Sequence, residues 1–208
     1  MPLGTILIYY LYLVISITIH EFAHAWTADR LGDPTARIAG QLTLNPFAHI
    51  DPLGTVILPL LSLLSGPGTV FGWGKPTPFD SYNLKNPRRD AGIISIAGPI
   101  SNLLFAIIIA LAVHFLPSVF AIFLIPLILV NISLAVFNLV PVGPLDGQKI
   151  IFALLPRDLA YEFQAIMSRY GTLILLFMIF PFFGGQAPIS SIISPPIEFL
   201  ARLLIPYP

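Results

Sequence analysis

The stretch "ITIHEFAHAW" (residues 17–26) places two imidazoles and a carboxylate at His20, Glu21 and His24, an HExxH pattern. Positions i and i+4 share one helical face, so both imidazoles can hold one Zn²⁺. A glutamate beside the first histidine is the residue type that takes a proton from zinc-activated water and passes it to a leaving amine. The sixteen residues before the stretch, "MPLGTILIYYLYLVIS", carry no charge. Two histidines and a glutamate on the same apolar helix are costly at membrane depth without a strong partner. Metal binding accounts for them better than hydrogen bonding inside a bundle does.

These groups sit in a chain built for lipid. Of its 208 residues 56% are apolar and 10% charged, with a mean hydropathy of +0.89. A soluble domain carries about a quarter charged residues. Ten basic and ten acidic side chains cancel, which leaves no electrostatic footprint for nucleic acid. With no cysteine, disulfides and thiolate metal sites are excluded, so a metal must be held by His, Asp or Glu. The opening "MPLGT" has no basic n-region, and the first helix is expected to be its own signal anchor rather than a removable signal peptide.

Periodicity and turn signals predict an all-α polytopic membrane protein with about four transmembrane helices, near 3–31, 91–116, 121–140 and 159–183. A short helix is expected over 148–155, and a C-terminal interfacial helix in the tail. The stretch 36–44 alternates like a strand, and 53–64 is apolar but too short to span, which predicts a re-entrant or interfacial piece. The chain reads as a single domain over 1–208, with a catalytic core of about 3–155 and C-terminal helices over 156–208. Arg30, Arg37, Lys75, Lys85, Arg88, Arg89, Lys149, Arg157 and Arg169 fall in three segments, while the turn at 117–120 is uncharged. By the positive-inside rule those segments are cytoplasmic and the turn external, which makes the protein multi-pass in the cell membrane. The end of helix one, and with it the active site, then lies toward the cytoplasm.

A catalytic zinc wants a third protein ligand and an open position. His114 falls at the external end of helix two, on the wrong side. His49 and Asp51 read as turn residues before Pro52. Asp146, in "NLVPVGPLDGQ", lies just past helix three, on the same side as the end of helix one. Asn138, Pro141, Gly143, Pro144 and Gly147 break the helix there, and broken backbone at membrane depth is tolerated only when buried in protein or lining a wet cavity. An unwound turn that presents Asp146 to His20 and His24 fits that condition.

With Leu145-Asp146-Gly147 beside the HExxH turn, the chain resembles the site-2 protease family of intramembrane zinc metalloproteases, in its compact, PDZ-less prokaryotic form. "GPISN" (98–102) is similar to the GPxxN segment of that family, and "LNPFAHIDPLGT" and "FGWGKPTPF" are similar to stretches of its compact members. The resemblance covers most of residues 15–155. Gly143 departs from it, standing where many relatives have proline, which implies a looser turn.

The resemblance implies that His20, His24 and Asp146 bind Zn²⁺ and that Glu21 activates water. It implies substrate positioning or oxyanion stabilisation by Asn138, with Asn102 able to do similar work; interhelical hydrogen bonding is the other reading for both. The expected substrate is a transmembrane protein or peptide within the bilayer, unwound locally and paired with an edge supplied by residues 36–80. Two rival readings are a metal- or ion-handling transporter and a catalytically silent scaffold. Helices two and four offer almost no polar groups at mid-depth for an ion path, and retention of Glu21 argues against the scaffold.

Overall fold

The computed structural model describes residues 3–57, 73–180 and 187–205. Helix α1 (Leu3–Arg30) carries the uncharged run and the HExxH turn without interruption. It ends where turn chemistry predicts. Gly32 takes φ +105°, which lets Asp33 N return to Ala28 O at 3.0 Å. Arg30 lies over the exposed Trp26 ring at 5.1 Å, an amphipathic pair suited to a membrane interface.

The strand-like alternation over 36–44 does not give a strand, and among the described residues there is none. Asp33 instead accepts hydrogen bonds from both Thr35 N and Thr35 Oγ1, a local turn that leads into one helical turn, α2 (Thr35–Ile38). A 3₁₀ turn (Pro46–His49) and a π-helical turn (Pro52–Ile57) follow. His49 and Asp51 are turn residues, as expected. His49 Nε2 pairs with Thr43 O at 2.8 Å, and Asp51 Oδ1 accepts from Leu53 N and Gly54 N at 3.0 and 2.6 Å. Of the expected re-entrant piece, residues 58–64 lie outside the described residues. Its flanks meet: Trp73 N donates to Gly54 O at 3.1 Å and Lys75 N to His49 O at 2.8 Å.

Helix α3 (Pro87–Phe115) is central and packs against α1, against α4 (Ala121–Asn138) and against the short α5 (Asp146–Leu154). Small residues allow the close approach. Ala106 and Ala110 are buried among Tyr12, Ile109, Ile128 and Ile132, while Leu104, Ile108 and Leu111 face outward. Arg88, at the start of α3, donates to the carbonyls of Phe152 (2.7 Å), Ala153 (3.2 Å) and Leu155, capping α5 and tying it to α3.

Among the described residues three helices are long and apolar enough to cross a membrane: Gly4–Arg30, Pro87–Phe115 and Ser118–Asn138. The expected fourth span forms as α6 (Arg157–Ile179) but is not one of them, since Arg157, Asp158, Glu162 and Arg169 make its first part amphipathic. The C-terminal helix α7 (Pro188–Leu204) lays Ile193, Ile197, Leu200, Ala201 and Leu204 against the apolar cluster of α3 and α4. It covers the bundle.

Candidate metal centre

Toward the C-terminal end of α1 the helical repeat stacks His20 over His24, with ring centroids 4.6 Å apart and planes at 88°. Both are buried. Asp146 arrives from the other side, on the first turn of α5. Its loop is held down by Val140, Val142 and Leu145, which are buried against Leu175 of α6 and Ile189 of α7. Asp146 Oδ2 lies 3.0 Å from His20 Nε2 and 3.2 Å from His24 Nε2. More than a hundred residues of sequence separation close to a single point.

The far nitrogens decide what faces that point. His24 Nδ1 is 2.7 Å from Ile94 O, and His20 Nδ1 is 2.6 Å from Asn102 Oδ1. Both partners are oxygens that only accept, so each Nδ1 carries a proton, and in the neutral rings each Nε2 turns its lone pair inward. Two imidazole lone pairs and a carboxylate oxygen facing one another repel unless a cation or shared protons lie between them. Their ligand atoms all lie within 4.8 Å of one another. This donor set, two neutral nitrogens and one anionic oxygen, fits a zinc site with a position left open.

Helix α3 forms the back wall. A Cβ on Gly98 would lie 2.5 Å from His24 Nε2 and 2.6 Å from His20 Nε2, so only glycine lets the main chain approach this closely. The next residue, Pro99, has no N–H to return to the Ser95 carbonyl, which relaxes the helix at the same level. The "GPISN" stretch thus acquires a physical reading: Gly98 admits the imidazoles, and Asn102, one turn on, holds His20.

Glu21 lines a cavity of about 400 Å³ together with His20, His24, Asp146 and Asn138. Segment 73–80, which runs without regular secondary structure, crosses the same cavity. Thr77 N donates to Glu21 Oε2 at 2.9 Å and Thr77 Oγ1 to Glu21 O at 3.0 Å. The segment is anchored at both ends, by Lys75 N on His49 O and by Asp80 N on Asp33 Oδ2 at 2.7 Å. Lys149, one turn past Asp146, holds its ammonium 4.9 Å from the Phe79 ring.

The two asparagines singled out from the sequence part company. Asn138 lines the cavity and donates to Leu134 O at 2.9 Å. Asn102 is fully buried behind His20, with its amide spent on Ser16 O, Asn131 and the imidazole. His114 bonds back to Ala110 O in its own helix, away from the centre. Sequence reasoning passed over Gly98 as a packing residue, Thr77 and Asn131. The last had a signal: it is an amide within "AIFLIPLILVNISLAVFN".

A family model described as Peptidase family M50 matches residues 8–125 and 116–178. The protein named "Putative zinc metalloprotease YwhC" of Bacillus subtilis is 37% identical over 179 residues, covering 79% of this chain and 76% of its own. The chain belongs to peptidase family M50, the site-2 proteases. Two proteins named "Putative zinc metalloprotease Rip2" are more distant relatives of this M50 chain. That of Mycobacterium tuberculosis is 30% identical over 173 residues, 80% of this chain and 62% of its own length. That of Mycolicibacterium smegmatis is 33% identical over 141 residues, 64% of this chain and 52% of its own length. No solved structure matches.

Proposed function

We propose that this M50 chain is an intramembrane zinc endopeptidase that hydrolyses a peptide bond in or near a transmembrane segment of a membrane-protein substrate. The observation that carries the reading is the convergence of His20 Nε2, His24 Nε2 and Asp146 Oδ2 on one point, with Glu21 in the same cavity. Zinc held by these three residues would polarise the scissile carbonyl and acidify water at the open position. Glu21 takes the proton of the attacking water and returns it to the leaving amide nitrogen, so that water adds across the broken C–N bond.

The rest of the cavity serves the substrate. Ile17, Leu134, Phe137, Leu175 and Leu176 offer apolar walls to a membrane-derived segment. A helical substrate buries its carbonyls in hydrogen bonds, so it must open before attack, and Asn138, which lines the cavity, would hold one of the groups set free. The walls from α6 support reading residues 1–208 as a single catalytic domain. The segregation of basic residues supports a multi-pass arrangement with the site toward the cytoplasm.

Glu21→Gln tests the chemistry. The variant keeps the shape and the three metal ligands but loses the base. Purified in detergent beside wild type and given a membrane-protein substrate, it is expected to retain zinc and lose at least about a hundredfold in cleavage rate. Equal cleavage by the two proteins, or an intact substrate with both, sinks the protease reading.

A further inference from the structure

The amide of Asn102 has only one orientation open to it. Its Nδ2 lies 2.9 Å from Ser16 O and 2.8 Å from Asn131 Oδ1. A main-chain carbonyl cannot donate, so the group facing Ser16 is the NH₂. Asn131 is itself fixed in the same way, since its Nδ2 lies 2.9 Å from Leu127 O, which turns its Oδ1 toward Asn102. Both protons of the Asn102 amide are therefore spent on α1 and α4. Its Oδ1 is left for His20 Nδ1 at 2.6 Å. The whole chain has one direction: His20 donates to Asn102, Asn102 to Asn131, and Asn131 to the helix main chain. Reversing any link would set two acceptors or two donors against each other.

We infer that Asn131, on a helix that supplies no metal ligand, is a positioning residue for the metal centre: through Asn102 it fixes the tautomer and ring orientation of His20. Asn102 and Asn131 are both 0% exposed, so water does not compete for these bonds. The two histidines differ in this respect. His24 takes its orientation from the main-chain carbonyl of Ile94, which no side-chain substitution removes. His20 takes its orientation from side chains alone, and the last of these belongs to α4. If that anchor is removed, an amide proton of Asn102 is orphaned and only the bond to Ser16 O still opposes a turnover of the carboxamide, which would set an NH₂ against His20 Nδ1. That favours the proton on Nε2, where it blocks the metal.

The inference rests on the zinc reading above for one of its readouts, and the other is independent of it. The full chain in detergent would be titrated with zinc against a chromophoric chelator, and its imidazole nitrogens read by ¹⁵N NMR without metal. Asn102→Leu is expected to weaken zinc binding about 10–100-fold, as removal of a histidine's outer hydrogen bond does. Asn131→Leu is expected to weaken it about three- to tenfold, less because Asn102 keeps its bond to Ser16. The double variant should bind no worse than Asn102→Leu within about twofold, because one residue acts through the other. Asn131→Asp, neutral when buried, can accept from Asn102 and donate to Leu127 O, and should restore affinity to within about twofold. The wild-type spectrum should show a proton on His20 Nδ1, beside any that Nε2 shares with Asp146, and Asn131→Leu a loss of Nδ1 protonation.

A lower Tm in Asn131→Leu with unchanged zinc affinity and an unchanged imidazole spectrum would mean that Asn131 merely joins helices, and the inference is overturned. Additive losses in the double variant overturn it as well. Should Asn131→Leu not fold, Asn131→Ala carries the same readings. A wild type that binds no zinc defeats the function proposed above, while the nitrogen spectra still decide the relay.

Discussion

Gly98 marks where α3 comes closest to the imidazoles, and it separates metal binding from helix stability at a single position. Alanine in a helix interior is normally about 1 kcal/mol better than glycine. Here the added methyl would lie 2.5–2.6 Å from both Nε2 atoms, against the nitrogens that face Asp146. Gly98→Ala is therefore expected to leave the helix content intact and to lower zinc stoichiometry well below one per chain, measured by metal analysis after gel filtration. Full zinc occupancy would show that the ion sits elsewhere. The same geometry explains why the two histidine rings, though brought together by simple helical periodicity, need a residue without a side chain opposite them.

At the scale of elements, the end of α1 and the segment that covers Glu21 are joined through one carboxylate. Asp33 is fully buried. Its Oδ1 accepts from Thr35 N, Thr35 Oγ1 and Asn83 Nδ2, and its Oδ2 from Asp80 N. Burial alone would push this carboxyl up, but the hydrogen bonds from Thr35, Asn83 and Asp80 outweigh it and hold the group below its ordinary range. The sign follows. A carboxyl depressed in the fold stabilises it above the unfolded value of about 3.9, and that contribution is lost as pH falls through the folded value. Thermal melts between pH 6 and pH 3 should show a drop at the acid end that is smaller in Asp33→Asn. At neutral pH the substitution should cost about 1–3 kcal/mol, because an Asn NH₂ in place of Oδ2 meets the Asp80 N–H head on. An acid profile identical to wild type would remove Asp33 from this role. Since Asp33 also anchors the far end of segment 73–80, loosening it should weaken the Thr77 bond to Glu21 as well.

For the whole molecule, the metal centre is the place where the chain's distant parts are joined. His20 and His24 come from α1, Asp146 from α5, and α3 closes the back, with α4 behind it through Asn131. Without a cation the three ligand atoms need shared protons between them, and metal should stabilise the assembly as any ligand of the native state does. At free zinc a thousandfold above its Kd that amounts to about 4 kcal/mol. A strong chelator should lower the Tm of the wild type by several degrees and leave that of His24→Ala nearly unchanged. Equal shifts in both proteins would mean that the chelator acts somewhere other than this centre.

How much of this was legible beforehand depends on the range of the physics. The apolar runs at 3–31, 91–116 and 121–140 became Leu3–Arg30, Pro87–Phe115 and Ala121–Asn138, because desolvation and helical periodicity act along a single segment. The HExxH turn and the broken helix before Asp146 were readable for the same reason, and the charge map placed them on one side. Short-range signals failed where two structures share one pattern. The alternation at 36–44 suits a strand, yet the turn at Asp33 leads the chain into a helical turn. The residues that orient the ligands were invisible as such. Gly98, Asn131 and Thr77 are ordinary types at ordinary spacings, and their meaning lies in which foreign side chain they meet. Asn102 illustrates the division. The sequence alone determined that an amide would stand at membrane depth on the second helix and would need partners there, since burying it unpaired is costly. Only the tertiary structure decided that those partners are His20, Ser16 and Asn131 rather than a substrate, because hydrogen-bond direction is set by which helices pack together and at what register.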